Sequence, residues 1–178
     1  MKWLLYGLGS ILGLFGLVLL TGMLLPAEHT AAVAGTYLAP PDSVWRAVTD
    51  LDGLASWRPD VDRVERLGAT DGLLRWREHN QYGAVTYQAL ESVPGRRFTA
   101  RIVDEDLPYG GTWTWLFEPV EGGTRLTIVE EGEVYNPVFR TLSRFVFGHH
   151  RTLEAYHELL ATHLGQEVAT VHVEVPTT

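Results

Sequence analysis

The sequence predicts an α+β domain behind one apolar helix, and three observations carry the prediction. Residues 3–25 form an uncharged apolar run. Short β-prone segments, separated by glycine- and proline-containing turns, fill residues 61–135. An apolar stripe at helical spacing then runs from Phe139 to Leu164. Strands grouped together, with helices before and after them, indicate helices packed on one face of an antiparallel sheet.

The first segment, "WLLYGLGSILGLFGLVLLTGMLL", ends at Pro26. As a helix it rises roughly 35 Å, enough for the ~30 Å hydrocarbon layer of a bilayer. Trp3 and Tyr6 stand at one end, where amphipathic rings suit the membrane interface. A cleaved signal peptide is the competing reading, but its apolar core would span only about 7–15 residues. The expectation is therefore an uncleaved transmembrane anchor over 1–26. Lys2 is the only basic residue before Arg46, which places the N-terminus in the cytoplasm and the following domain outside. Gly9 and Gly13 form a GxxxG, a helix-pairing face that would make a homodimer.

After the anchor, "TAAVAGTYL" (30–38) alternates as a strand, and "PPDSVW" opens a short helix that Asp42 or Ser43 would cap. A second short helix, "LDGLASW", stops before Pro59, because the residue preceding proline avoids the helical region. Three hairpins follow, turning at Asp71-Gly72, Pro94-Gly95 and Glu121-Gly122-Gly123, and bring the total to seven antiparallel strands. Asn136-Pro137 is a cap followed by proline at the first helical position. One helix of nearly 30 residues is then expected up to Gly165, with Gly148 as a point of kinking. The tail "EVATVHVEVPTT" alternates, and both an edge strand and a frayed end fit it.

Composition narrows the function. No cysteine is present, so disulfides, thiolate metal sites and cysteine nucleophiles are excluded. The formal charge of −8 makes nucleic acid a poor partner. No nucleotide, hydrolase or metal-protease fingerprint occurs, and no cofactor or metal is expected. His150, Glu154, His157 and Glu158 lack ligand spacing and read as a solvated helix face.

Alternation sorts the strand faces. Trp113, Trp115 and Phe117 share one side; so do Leu74, Trp76 and Glu78; so do Phe98 and Ile102; so do Leu126, Ile128 and Glu130. The inward faces are thus aromatic and carry two carboxylates. Buried together, Glu78 and Glu130 would have raised pKa values and suit acid–base work; at strand ends they would sit in water. His149 falls on the apolar stripe of the last helix, between Val146 and Leu153. Trp45 is expected to pack into the fold, and Trp57, at the "WRPD" corner, to sit near the mouth of any cavity.

The order of elements, the "PPDSVW" helix, the "WRPD" corner, "GTWTWLFEPVEGGTRLTI" and "EEGEVYNPVFRTLSRFVFGHH" resemble the START-like superfamily over about residues 30–165. This superfamily (SRPBCC) includes polyketide cyclases, lipid-transfer domains and the birch-pollen-allergen type. The resemblance implies a helix-grip fold: a curved seven-stranded sheet around the C-terminal helix, with a ligand cavity between them. On that reading residues 27–166 form the domain and 167–178 the tail. The expected lining is Trp57, Trp76, Glu78, Phe98, Ile102, Trp113, Trp115, Phe117, Ile128 and Glu130 from the sheet side. Phe139, Leu142, Val146, His149 and Leu153 would complete it from the helix. No universal catalytic motif accompanies the fold. The leading expectation is membrane-tethered binding or transfer of an apolar small molecule: a lipid, isoprenoid or polyketide-like compound. A cyclase or dehydratase using Glu78, Glu130 or His149 is one alternative. The other is a non-catalytic protein whose "VFRTLSRFVFG" docks on a membrane or partner.

Overall fold

The computed structural model of the chain describes residues 2–70 and 72–175; Asp71 of the predicted Asp71-Gly72 turn, and the side chain of Phe147, lie outside the described set. Helix α1 (Lys2–Leu24) precedes β1 (Glu28–Tyr37), α2 (Pro41–Thr49) and a single 3-10 turn, Leu54–Ser56. Six strands follow: β2 (Arg63–Thr70), β3 (Leu73–Asn80), β4 (Gly83–Val93), β5 (Arg97–Ile102), β6 (Tyr109–Val120) and β7 (Gly123–Val134). Helix α3 (Pro137–Leu142), a π turn (Ser143–Phe147), α4 (Arg151–His163) and β8 (Thr170–His172) complete the chain.

The strands form one antiparallel sheet in the order β2-β3-β4-β5-β6-β7-β1-β8. It has eight strands rather than the expected seven, because the alternating tail pairs with β1, Val33 opposite His172. Bulges between Arg66 and Ala69 in β2 and between Ala89 and Glu91 in β4 interrupt the register. An extra residue bends its strand and sharpens the twist, which curves the sheet toward the helix it holds. Inward residues of the sheet meet Leu153, Tyr156 and Leu160 of α4 in one buried cluster. The result is an α+β helix grip.

The last helix departs from expectation. It is not one rod, because Gly148 adopts φ +73°, a left-handed conformation that no helix continues through. The π turn just before it widens the backbone, and α4 starts afresh at Arg151. The apolar stripe is therefore divided: Leu153, Tyr156 and Leu160 are buried, whereas Phe139 and Val146 are exposed. The start of α3 follows the sequence, with the Asn136 side chain accepting from the backbone N–H groups of Val138 and Phe139 and Pro137 at the first position. Helix α2 starts at Pro41 with no side-chain cap, so neither Asp42 nor Ser43 caps it.

One further expectation is corrected. His157 is not on a solvated face but fully buried. Its Nδ1 lies 2.8 Å from the Tyr37 hydroxyl and its Nε2 3.2 Å from the Val33 carbonyl, which ties α4 to β1. Burial pushes its pKa down to about 4, so it stays neutral at ordinary pH. At the N-terminus, no helix among the described residues is long and apolar enough to cross a membrane, and the side chains of residues 4, 5 and 8 fall outside that description. The segment expected over 3–25 forms α1, 23 residues long, with Trp3, Ile11 and Phe15 exposed.

Candidate functional site

Between sheet and α4 lies a cavity of about 510 Å³. That is within the range of small-molecule sites. One wall is a chain of rings. Tyr87 stacks on Trp76 at 5.4 Å between centroids, Trp76 on Phe98 at 6.1 Å, and Phe98 meets Trp115 at 5.5 Å. Trp115 meets Trp113 at 5.7 Å, and Trp113 closes the series on Tyr156 of α4 at 6.0 Å. The rings come from β3, β4, β5 and β6 because alternate residues on adjacent antiparallel strands share a face.

Of the residues expected to line a cavity, Trp76, Glu78, Phe98 and Ile102 do, together with Trp113, Trp115, Glu130 and His149. The others lie elsewhere. Phe117, Ile128 and Leu153 are in the closed core, where Phe117 packs edge-on against Trp45. Trp57 is buried rather than at the mouth, between Tyr156 at 5.4 Å and His163 at 5.6 Å. Phe139 and Val146 face outward for the reason given above, and half-buried Leu142 is not in the lining.

Two polar groupings interrupt the aromatic wall. In the first, Arg58 from the "WRPD" corner places Nη1 3.2 Å from the Glu78 carboxylate and binds Asp60 through Nε at 3.2 Å and through Nη2. The second Glu78 oxygen accepts from the Trp76 indole N–H at 3.0 Å. Glu78 is thus buried and satisfied: a structural carboxylate held by a cation and a donor.

The second grouping, at the mouth, is Glu130 of β7, His29 of β1 and His149 just before α4. Glu130 Oε1 lies 4.0 Å from His29 Nε2, and the His29 and His149 rings stack at 3.9 Å. Pairing of β1 with β7 sets His29 opposite Gly132, where any side chain would collide with the imidazole: a Cβ there would sit 2.3 Å from it. Burial raises the Glu130 pKa to about 7, with the Trp113 N–H opposing the shift. Burial, and then the neighbouring His149, lower His29 to about 4. At neutral pH the site therefore holds a carboxyl poised to give or take a proton beside an uncharged imidazole. Among the described residues, the buried His29 Nδ1 has no hydrogen-bond partner, and the Trp115 indole N–H has none beyond its approach to Tyr156. Both residues line the cavity. Such atoms normally find a hydrogen-bond partner, so they mark where a polar atom of a ligand would fit. Among the described residues no cluster suited to a metal ion occurs.

Titration of Glu130 gives the first prediction. Its folded pKa lies above the usual carboxylate value, so folding takes up a proton between about pH 4.5 and 7. Its contribution to stability is present below that window and is lost as pH rises through 7. Glu130→Gln stays neutral throughout. The difference in melting temperature between variant and parent is expected to grow in the variant's favour from pH 4.5 to 8. The limit is on the order of 3 kcal/mol, reduced by partial solvent access. A difference that stays flat across this range would show that folding leaves the Glu130 pKa at its ordinary carboxylate value.

A curved antiparallel sheet closed over a helix, with a ring-lined cavity between them, defines the helix-grip class. The chain belongs to the family of polyketide cyclases/dehydrases and lipid-transport proteins, which matches residues 30–163. Among solved structures it is similar to a protein from Mesorhizobium loti, with 17% identity, 77% of this chain and 97% of that one covered, and a TM-score of 0.59. It is similar as well to the ZhuI aromatase/cyclase from Streptomyces, with 19% identity, 76% and 90% covered, and a TM-score of 0.54. Ara h 8.0201 shares the fold at 13% identity, with 78% and 99% covered and a TM-score of 0.58. At these identities the likeness is one of fold. A comparison with curated proteins finds no match.

Proposed function

We propose that the protein binds or transfers an apolar small molecule, a lipid, isoprenoid or polyketide-like compound, while tethered to a membrane by α1. The observation that carries the reading is the cavity of about 510 Å³ with its continuous aromatic wall and the unpartnered His29 Nδ1 at its mouth. Family membership and the ZhuI and Ara h 8.0201 folds support it. Tethering is supported by the uncharged apolar run of residues 3–25 and by the exposed apolar side chains of α1. Lys2, the one Lys or Arg before Arg46, supports a cytoplasmic N-terminus with the domain outside. Native mass spectrometry of full-length protein extracted in mild detergent is expected to show a co-purified small molecule. That molecule should be displaced in Trp113→Ala, with a thermal shift restored by a lipid panel. Empty protein with no thermal shift on any ligand would refute the reading.

A second reading, an enzyme of cyclase or dehydratase type, is favoured by the convergence of Glu130 and His149 with His29 at the mouth. A cavity carboxyl titrating near neutrality beside a neutral imidazole is an acid–base pair. Glu78, locked by Arg58 and Trp76, takes no part. Turnover of a bound polyketide-like compound that Glu130→Gln abolishes without loss of binding would establish this reading. Release of every bound compound unaltered would dismiss it.

A further inference from the structure

The end of α1 is bolted to the domain at one place. Arg140 of α3 donates through Nη1 to the carbonyls of Gly22 and Leu25 at 3.1 and 3.0 Å, which are free acceptors at the end of a helix. The same guanidinium donates through Nε to the Val134 carbonyl at 2.9 Å and through Nη2 to that of Tyr135 at 3.1 Å. Thr141 donates to the Val18 carbonyl at 2.9 Å. Gly22 lies directly on Pro137, where a side chain would have no room: a Cβ would fall 1.8 Å from the Pro137 oxygen. One arginine thus joins the last turn of α1 to the end of β7, and α1 and α3 meet backbone against backbone.

The junction sits beside the cavity mouth. A smaller hollow of about 150 Å³ is lined by Leu25 and Pro26 as the chain leaves α1, and by Arg140 and Arg144. It shares His29, Val134, Ser143 and His149 with the main cavity. Around it the segment from Tyr135 to Val146 shows apolar side chains to the outside. Phe139 is 52% exposed, Phe145 67% and Val146 65%, next to Met23 and Leu24 of α1 at 64% and 80%.

From these observations we infer that residues 135–147 seat on the surface of a zwitterionic lipid bilayer beside the end of α1, so that the cavity mouth opens onto the membrane. This rests on the tethering proposed above. The bilayer is the fitting occupant because the apolar exposure is continuous along α1, with Ile11, Leu14 and Phe15 uncovered as fully as the patch itself. A medium that covers the rod reaches whatever is hydrogen-bonded to its end. Exposed rings and aliphatic groups beside arginines are the composition of an interfacial segment, the arginine stems lying along the apolar layer with their heads in water. The charge of −8 directs the choice to zwitterionic rather than anionic lipid. The π turn and Gly148 let the segment shift while α4 stays in the core. Ligand then passes between cavity and bilayer past Ser143 and His149 without crossing bulk water.

Because the chain has no cysteine, a single introduced thiol takes a dye at one site. Full-length Trp3→Cys, Tyr82→Cys, Phe145→Cys and Val146→Cys would be labelled with an environment-sensitive fluorophore and reconstituted in phosphatidylcholine vesicles. Tyr82, 90% exposed on the β3–β4 turn, serves as the reference. Labels at 3, 145 and 146 are expected to be quenched several-fold more by a lipid-borne nitroxide than the label at 82, and to resist aqueous iodide. Quenching at 3 alone, with 145 and 146 open to iodide, would overturn the docking and leave the tether standing. No lipid quenching at 3 would overturn the tether and the docking together. Labels at 145 and 146 shielded from both quenchers would mean that protein, such as a second copy, covers the patch, and would overturn it equally.

Discussion

Arg58→Met is expected to destabilise the domain by about 3–5 kcal/mol, read as a lower denaturant midpoint at unchanged slope. The reason is local. Glu78 is almost fully buried and has two partners, the Arg58 guanidinium and the Trp76 N–H. Removing the cation leaves a charge in a low-dielectric pocket with one donor, and desolvation then has no compensation. Asp60 loses the same partner but is half exposed, so water replaces it. The double variant Arg58→Met with Glu78→Gln should recover most of the loss, because the uncompensated charge is gone. If the double variant is as unstable as the single one, packing of the arginine stem over Tyr156, where the guanidinium carbon lies 5.7 Å from the ring centre, is the true cause.

Trp57→Ala is the second large effect, also about 3–5 kcal/mol. The indole is 8% exposed and packs between Tyr156 and His163, so truncation opens a hole that neighbouring rings of fixed shape do not fill. Trp45→Ala should cost clearly less. That ring is half-buried, edge-on to Phe98 and Phe117, with one side in solvent. Chemical denaturation of the two variants side by side tests the order, and a larger loss for Trp45 would reverse the assignment. The ranking is the opposite of what the sequence suggests.

That reversal shows where local reading stops. Strand alternation placed Trp76, Glu78, Phe98, Ile102, Trp113 and Trp115 on one face, and all six line the cavity. Period two is a property of the backbone itself, so it survives folding. Helical spacing was a weaker guide after residue 137. A stripe recurring every three or four residues reads the same whether or not a left-handed glycine divides it, so the spacing points Phe139 and Val146 inward while the fold leaves them exposed. Contacts made by distant chain were not legible at all. His29 meets Glu130 through the β1–β7 register, and Arg58 finds Glu78 from across a corner. His157 is covered by β1 and the tail beyond α4, elements that no pattern within α4 announces.

The three-residue strand β8 has a consequence out of proportion to its length. Without it, β1 would be the rim of the sheet, and its middle, Ala31 to Ala34, is apolar and fully buried. The opposite rim defends itself: β2 carries Arg63, Glu65 and Arg66 and is broken by a bulge, features that discourage another strand from joining. Strand β1 has no such guard. A chain cut at residue 166, the boundary expected from the sequence, would display an open, uncharged ladder ready to recruit a neighbour. The last residues thus act less as a tail than as a stopper against strand-to-strand aggregation.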